Sequence, residues 1–215
     1  ATTIITPTTV GRTIGLAGGA GNLSLTANEL ATIRSANVRI GNTTSGAMQI
    51  GTFTAGADFA TGVLTLAANG AISQIGALNL AASGADLIIR HADAASSVLL
   101  TQNNSFSNIA ATVSGALSIT STTGLNITSL TDDLGVVSGI TTSNDNITLT
   151  SGGTISDTVG NLISGAVLTT TSVGGTVLDN AHTVTTFNAT NTGGGAITLV
   201  NTAAPLTITG ISQTG

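Results

Sequence analysis

The stretch NITLTSGGTISD, residues 146–157, has a near copy upstream, VLTLAANGAISQ, at residues 63–74. Each sets two aliphatic residues around a Thr, passes through small and polar residues including a Gly, and closes on Ile-Ser. Aliphatics at i and i+2 read as a short strand with one buried face, and the Gly, Asn and Ser between them read as a turn. The same pairing recurs along the chain, at Leu23/Leu25, Val38/Ile40, Met48/Ile50, Leu78/Leu80, Leu117/Ile119, Leu125/Ile127, Ile197/Leu199 and Leu206/Ile208. Helical periodicity is missing, and only Ala27 to Arg34 could be read as helix.

The echo extends. Leu64 matches Ile147 at an offset of 147 − 64 = 83, GALSI at 115–119 matches GAITL at 195–199, LNIT at 125–128 matches LTIT at 206–209, and Phe106 falls opposite Phe187. These matches predict a long unit of about 80 residues built from finer coils of about 20. The chain divides into 1–61, the tail of an earlier copy, 62–144, one copy, and 145–215, a copy that stops short, all within one continuous structural domain. VRIGNTTSGAMQIG at 38–51, which resembles LSITSTTGLNIT at 117–128, supports the earlier copy.

Composition narrows the architecture. Charged residues are 6% and aromatics 2% of 215 residues, there is no Lys, Cys, Trp or Tyr, and Thr is roughly a fifth of the chain. Mean hydropathy is +0.47, which argues against a disordered chain. Propeller blades carry periodic aromatic signatures and immunoglobulin-like sandwiches a core Trp, so a parallel β-solenoid fits best. Its coils stack about 4.8 Å apart. A charge repeated from coil to coil would repel its own copy, whereas Asn and Thr can bond along the stack. The fold expected is all-β, a parallel β-solenoid of about ten coils, without evident caps at its ends.

Net charge is −5 with a pI near 4.4, and Arg12, Arg34, Arg39 and Arg90 are scattered, so no basic patch suits nucleic acid. No apolar run is long enough to span a membrane as a helix. Without Trp or Tyr the chain cannot build the aromatic girdles of a membrane barrel.

GVLTLAANGAISQ, NITLTSGGTISD and TVLDNAHTVTTFNATNTGGGAITLV resemble the repeat regions of bacterial filamentous haemagglutinin-like exoproteins of the two-partner-secretion type. The resemblance covers most of the chain from about Gly21. It implies a right-handed β-helix, exported across the outer membrane and used in adhesion, aggregation or matrix building. The family's secretion domain carries an Asn-Pro-Asn motif that this chain lacks, so the resemblance is to the shaft.

Candidate chemistry is sparse. Arg90, His91 and Asp93 form the richest polar cluster and could serve a β-helix lyase or hydrolase, but the simpler reading is an Arg90–Asp93 pair on a surface loop. Asp132 and Asp133, with Asp145 nearby, could offer oxygens to calcium, but no calcium-loop spacing accompanies them, and a solvated turn is expected. Asp157 and Asp179 read as isolated turn residues, and His182 as a surface or capping residue. GLAGGAG at 15–21 lacks the Lys-Ser/Thr ending of a phosphate loop. Asn126 and Asn146 stand in sequons that such a composition produces by chance.

Thr148/Thr150 raises an ice-binding alternative, but Thr52/Thr54 and Thr207/Thr209 have no matching set between them, so the Thr pairs read as drifting out of register. Convergence of Arg90, His91, Asp132 and Asp133 on one face would favour an enzyme. No catalytic, cofactor or metal residue is assigned and no cofactor is expected. The function expected is a non-enzymatic, extracellular structural or adhesive rod segment at a bacterial surface. Its expected partners are its own kind, end to end or as part of a longer chain, and the glycans or proteins of neighbouring cells. A carbohydrate-active β-helix is the other alternative.

Overall fold

Ile14, Met48, Ile72, Val98, Leu117, Ile147, Leu168, Phe187 and Ile208 stand one above another in parallel register. Eight of the nine are fully buried or nearly so; Ile208, in the last coil, is half exposed. This aliphatic column is the spine of the protein. The computed structural model describes residues 1–215 as a parallel β-solenoid of about 8 turns with ~22 residues per turn.

Strands form three rows along the axis. The first contains Thr2–Ile5, Ser35–Gly41, Phe59–Ala68, Asp86–His91, Asn108–Val113 and Ile140–Thr142, then the start of Ile163–Ser172. The second carries the aliphatic column and ends on Thr207–Gln213. A shorter third row begins with Phe53–Thr54 and Leu78–Asn79, then resumes with Leu125–Ile127, Ile155–Asp157 and the start of Thr176–Asn191. Inward residues alternate with outward ones, as a half-buried strand requires. One cluster of 40 buried residues therefore runs through the interior.

The turns are fewer than the ten expected because two insertions lengthen individual coils. One is an antiparallel hairpin, Ser129–Asp132 paired with Gly135–Ser138. The other, between Ile14–Leu16 and Met48–Ile50 in sequence, adds strand Leu23–Leu25, which pairs with Ile14–Leu16 on the edge away from Met48–Ile50, and helix α1, Ala27–Leu30. The expectation of an end without caps is corrected by α1. Thr26 caps the helix by accepting from the Glu29 N–H, while the Glu29 carboxylate accepts from Thr26 in return, a reciprocal capping box. Leu30, 2% exposed, joins the core and lines a seam of about 10 Å³ with Leu16, Phe53 and Phe59.

The two echoing phrases occupy different sides of the coil. Leu64 and Leu66 lie in the first row, with Ile72 in the second. Ile147 and Leu149 lie in the second row, with Ile155 in the third. An offset of 83 is not a whole number of ~22-residue turns. The phrase encodes strand, corner, strand, and any corner can use it.

One corner is lined by an inward polar column: Asn104, Ser121, Ser151, Ser172, Asn191 and Gln213. Asn191 accepts from the Gly175 N–H and donates to the carbonyls of Gly193, Gly194 and Gly195. Asn104 does similar work, accepting from the Leu78 N–H and donating to the Leu100 and Thr120 carbonyls. Buried backbone groups at a bend need such partners. Asn191→Ala should lower stability by about 1–3 kcal/mol, seen as a lower urea midpoint with an unchanged slope.

Candidate functional site

Of the charged residues in the sequence, Arg39, Arg90, Asp132 and Asp133 meet at the hairpin. Its strands fold back over the outer face of the first row. Leu130 and Val137 cover Val63, Ile88 and Ala110 there, forming a second small apolar cluster. At the tip, Asp132 Oδ1 accepts from Arg90 Nη2 at 2.7 Å and from the Leu134 N–H at 2.8 Å. Its Oδ2 accepts from Arg90 Nε at 2.8 Å and from the Thr65 hydroxyl at 3.0 Å. Asp133 Oδ1 accepts from Arg39 Nε and its Oδ2 from Arg39 Nε and Nη2, while Arg39 Nη1 donates to the Gly41 carbonyl.

Several expectations are corrected here. Arg90 pairs with Asp132, not with Asp93, which instead accepts from the Ala95 N–H in its own turn. Asp132 is no solvated turn residue, since its side chain is 2% exposed, whereas Asp133 is exposed at the tip with its carboxylate held by Arg39. Burial pushes the Asp132 carboxyl up, but Arg90, the Leu134 N–H and Thr65 together hold it below the usual aspartate range. The cause is the charge-assisted bonding of its ionised form. Arg90, Asp132 and Asp133 do share one face, the arrangement that would favour catalysis. Yet every oxygen of the two carboxylates already accepts from the protein, and His91 points away. Chemically this cluster is a latch, holding together coils from Arg39 to Ala110.

His91 lies inward, its Nε2 2.9 Å from the Ser96 hydroxyl. His182, expected at the surface, is fully buried. It stands inside the first row, where its Nδ1 accepts from the Ile163 N–H at 2.8 Å. Its Nε2 is 3.1 Å from Asp157 Oδ2, too poorly aligned for a hydrogen bond. Asp157 is therefore no isolated turn residue. It accepts from the Asp179 and Asn180 N–H groups and from the Asn180 amide. Burial lowers the pKa of His182 against the opposing pull of Asp157, and burial lowers that of His91 likewise. A second proton on His182 must sit on Nδ1 and break its bond to Ile163.

The unfolded chain binds that proton below the ordinary value of 6.5 while the native ring resists it. Stability therefore falls as pH drops through this range, by up to about 1.4 kcal/mol per pH unit per histidine. Urea titrations between about pH 7 and about pH 5 should show this loss, and His182→Asn should reduce it.

The outer face of the second row corrects the reading that Thr pairs drift. Ser118/Thr120, Thr148/Thr150, Thr169/Thr171 and Asn188/Thr190 stack in register over four consecutive coils. Eight side chains form two straight columns with no charge among them, about 4.8 Å apart along the axis and about 7 Å across. None makes a hydrogen bond within the protein, whereas corner hydroxyls such as Ser121, Ser151 and Thr154 each bond a backbone carbonyl. The sequence hides this array because its spacing varies with corner length. Only the register exposes it.

No family model matches the chain, and no curated protein or solved structure matches it.

Proposed function

We propose that this chain is a non-enzymatic rod segment of an extracellular bacterial surface fibre, structural and adhesive in action. The observation that carries this reading is the unbroken parallel column from Ile14 to Ile208, which makes an elongated body with near-equivalent outer sites on successive coils. Such a body sums weak contacts into firm attachment. The charged groups fit the reading: the strongest ion pairs latch the rod to itself and leave an outer surface of hydroxyl and amide. At the last coil, strand Thr207–Gln213 pairs on one side only, with Ile208 and Ile211 half exposed. A further coil fits there, from a continuing chain or a second copy.

Electron microscopy at rising concentration tests the reading, together with attachment of protein-coated beads to bacterial and host cells. Rods or filaments with an axial spacing near 4.8 Å and saturable bead attachment are expected. Rods whose beads attach no better than bare ones would overturn the adhesive part.

The in-register hydroxyl array favours one second reading, binding to ice, whose surface is also a regular lattice of hydrogen-bonding oxygens. Growth of ice crystals in a dilute solution of the protein decides it. Arrested or faceted crystals that revert with Thr150→Lys and Thr169→Lys would support it, and rounded crystals identical to buffer would end it.

A further inference from the structure

A second polar feature runs along the corner between the third and first rows, on the outside of the coil. The Ser156 hydroxyl donates to Asn126 Oδ1 at 3.3 Å, the Asn126 amide to Asn108 Oδ1 at 3.0 Å, and the Asn108 amide to Asp86 Oδ1 at 2.7 Å. These four side chains lie on successive coils and their bonds all point one way, toward the carboxylate. Each bond polarises the next. Two cavities adjoin the ladder. One of about 170 Å³ is bounded by Asp86, Asn108, Ser105 and Gly84, and one of about 350 Å³ by Asn126, Ser156, Gly124 and Gly153. Ser107 lines both, so the two cavities lie next to each other along the ladder and together make a groove.

The ladder leaves hydrogen-bonding capacity facing the groove. Each amide uses one of its two N–H donors on its neighbour, Asp86 uses one of its two oxygens, and the hydroxyls of Ser105 and Ser107 make no bond within the protein. Gly124 leaves this wall of the groove without a side chain, and Gly153 packs closely on the Gly124 backbone, where a Cβ would come within 2.9 Å of the Gly124 nitrogen.

We infer that this groove binds a neutral, extended glycan lying along the rod axis. A sugar hydroxyl is both donor and acceptor. It can give its proton to the open Oδ2 of Asp86 or to the second lone pair of Asn126 Oδ1, and accept from the spare amide hydrogens. The coil spacing of about 4.8 Å is close to the length of one pyranose ring, so successive rings meet successive rungs. Asp86 is the one charge in the walls, with no cation beside it, so an anionic glycan is disfavoured. No aromatic side chain offers a stacking platform, as Phe106 is 2% exposed. Each site is therefore weak, and attachment depends on many rungs and many rods. The inference deepens the adhesive reading by naming a partner class, but the rod could still adhere through other surfaces if the groove bound nothing.

The test is calorimetric titration of the intact chain with hexasaccharides of glucose, mannose, galactose and N-acetylglucosamine, and with a sulfated glycan as anionic control. At least one neutral hexasaccharide should bind, and the sulfated one should not. Asn126→Leu removes a rung and should weaken binding roughly tenfold. Gly124→Leu blocks the groove from a second direction. A Cβ at Gly124 would meet the Thr154 carbonyl oxygen at 3.4 Å and the Thr154 nitrogen at 3.9 Å, both ordinary contacts, so the corner accepts it. Both variants should keep the thermal midpoint of the wild type, and Thr169→Val on the hydroxyl face should bind as the wild type does. Failure of every neutral hexasaccharide to bind overturns the inference, as does equal binding by wild type, Asn126→Leu and Gly124→Leu. Bead attachment that persists in Asn126→Leu would remove the groove alone and leave the adhesive rod standing.

Discussion

Asp132→Ala is expected to lower the free energy of unfolding by about 3 kcal/mol, because it strands a largely buried arginine. The Arg90 side chain is 16% exposed and has no other carboxylate within reach. The variant also removes acceptors from Thr65 and the Leu134 N–H. The hairpin Ser129–Ser138 then loses one of its two ionic anchors, keeping only Asp133–Arg39, and its cover over Val63, Ile88 and Ala110 loosens. Limited proteolysis should cut first near Leu134, which is half exposed at the tip. The double variant Arg90→Ala/Asp132→Ala should cost less than the single one, since no charge is left unpaired. If both cost the same, the stabilisation comes from the apolar cover and not from the ion pair. Acid offers the same test without mutation. The carboxyl is held below its ordinary value of 3.8, so its contribution is complete above that value and is lost as pH falls through the lower folded value.

That latch shows what the sequence leaves hidden. Alternating aliphatics predicted strands such as Ile147–Ser151 and Leu117–Ser121, and the corner Gly and Asn predicted where they bend. These signals are local, set by side-chain period and turn chemistry. The partner of a charge is not local. Arg39 and Asp133 are 94 positions apart, and nothing in either flank points to the other. The hydroxyl array and the Asp86–Asn108–Asn126–Ser156 ladder are hidden for a related reason. Both depend on which strand lies above which, and corner length varies from coil to coil. Similar phrases therefore suggested equivalence where the register places Leu64 and Ile147 on different sides. His182 is hidden because an isolated polar residue is usually exposed. Here the Ile163 N–H supplies a hydrogen-bond partner from another coil, and Asp157 stands 3.1 Å from the other ring nitrogen.

Ile147→Ala should be comparably damaging, for the opposite reason. Ile147 is fully buried, with Leu117 on one coil and Leu168 on the next. Its truncation removes about three methyl or methylene groups and leaves a cavity between two rigid strands, at a cost of about 3–4 kcal/mol. Ile147→Val should cost about 1 kcal/mol. In a solenoid each coil touches only its neighbours, so the loss should stay local. Amide exchange should accelerate in Ile140–Thr142, Ile147–Ser151 and Ile163–Ser172, while Ser35–Gly41 and Phe59–Ala68 stay protected. The ends differ as well. The first coils are closed by α1 and Leu30, whereas Leu206, Ile208 and Ile211 in the last coil are only partly covered. Opening should spread from the weakened coil toward Gln213 before it spreads toward Ile14. Uniform acceleration along the whole chain would instead show a single cooperative unit, and the nearest-neighbour account of the rod would fail.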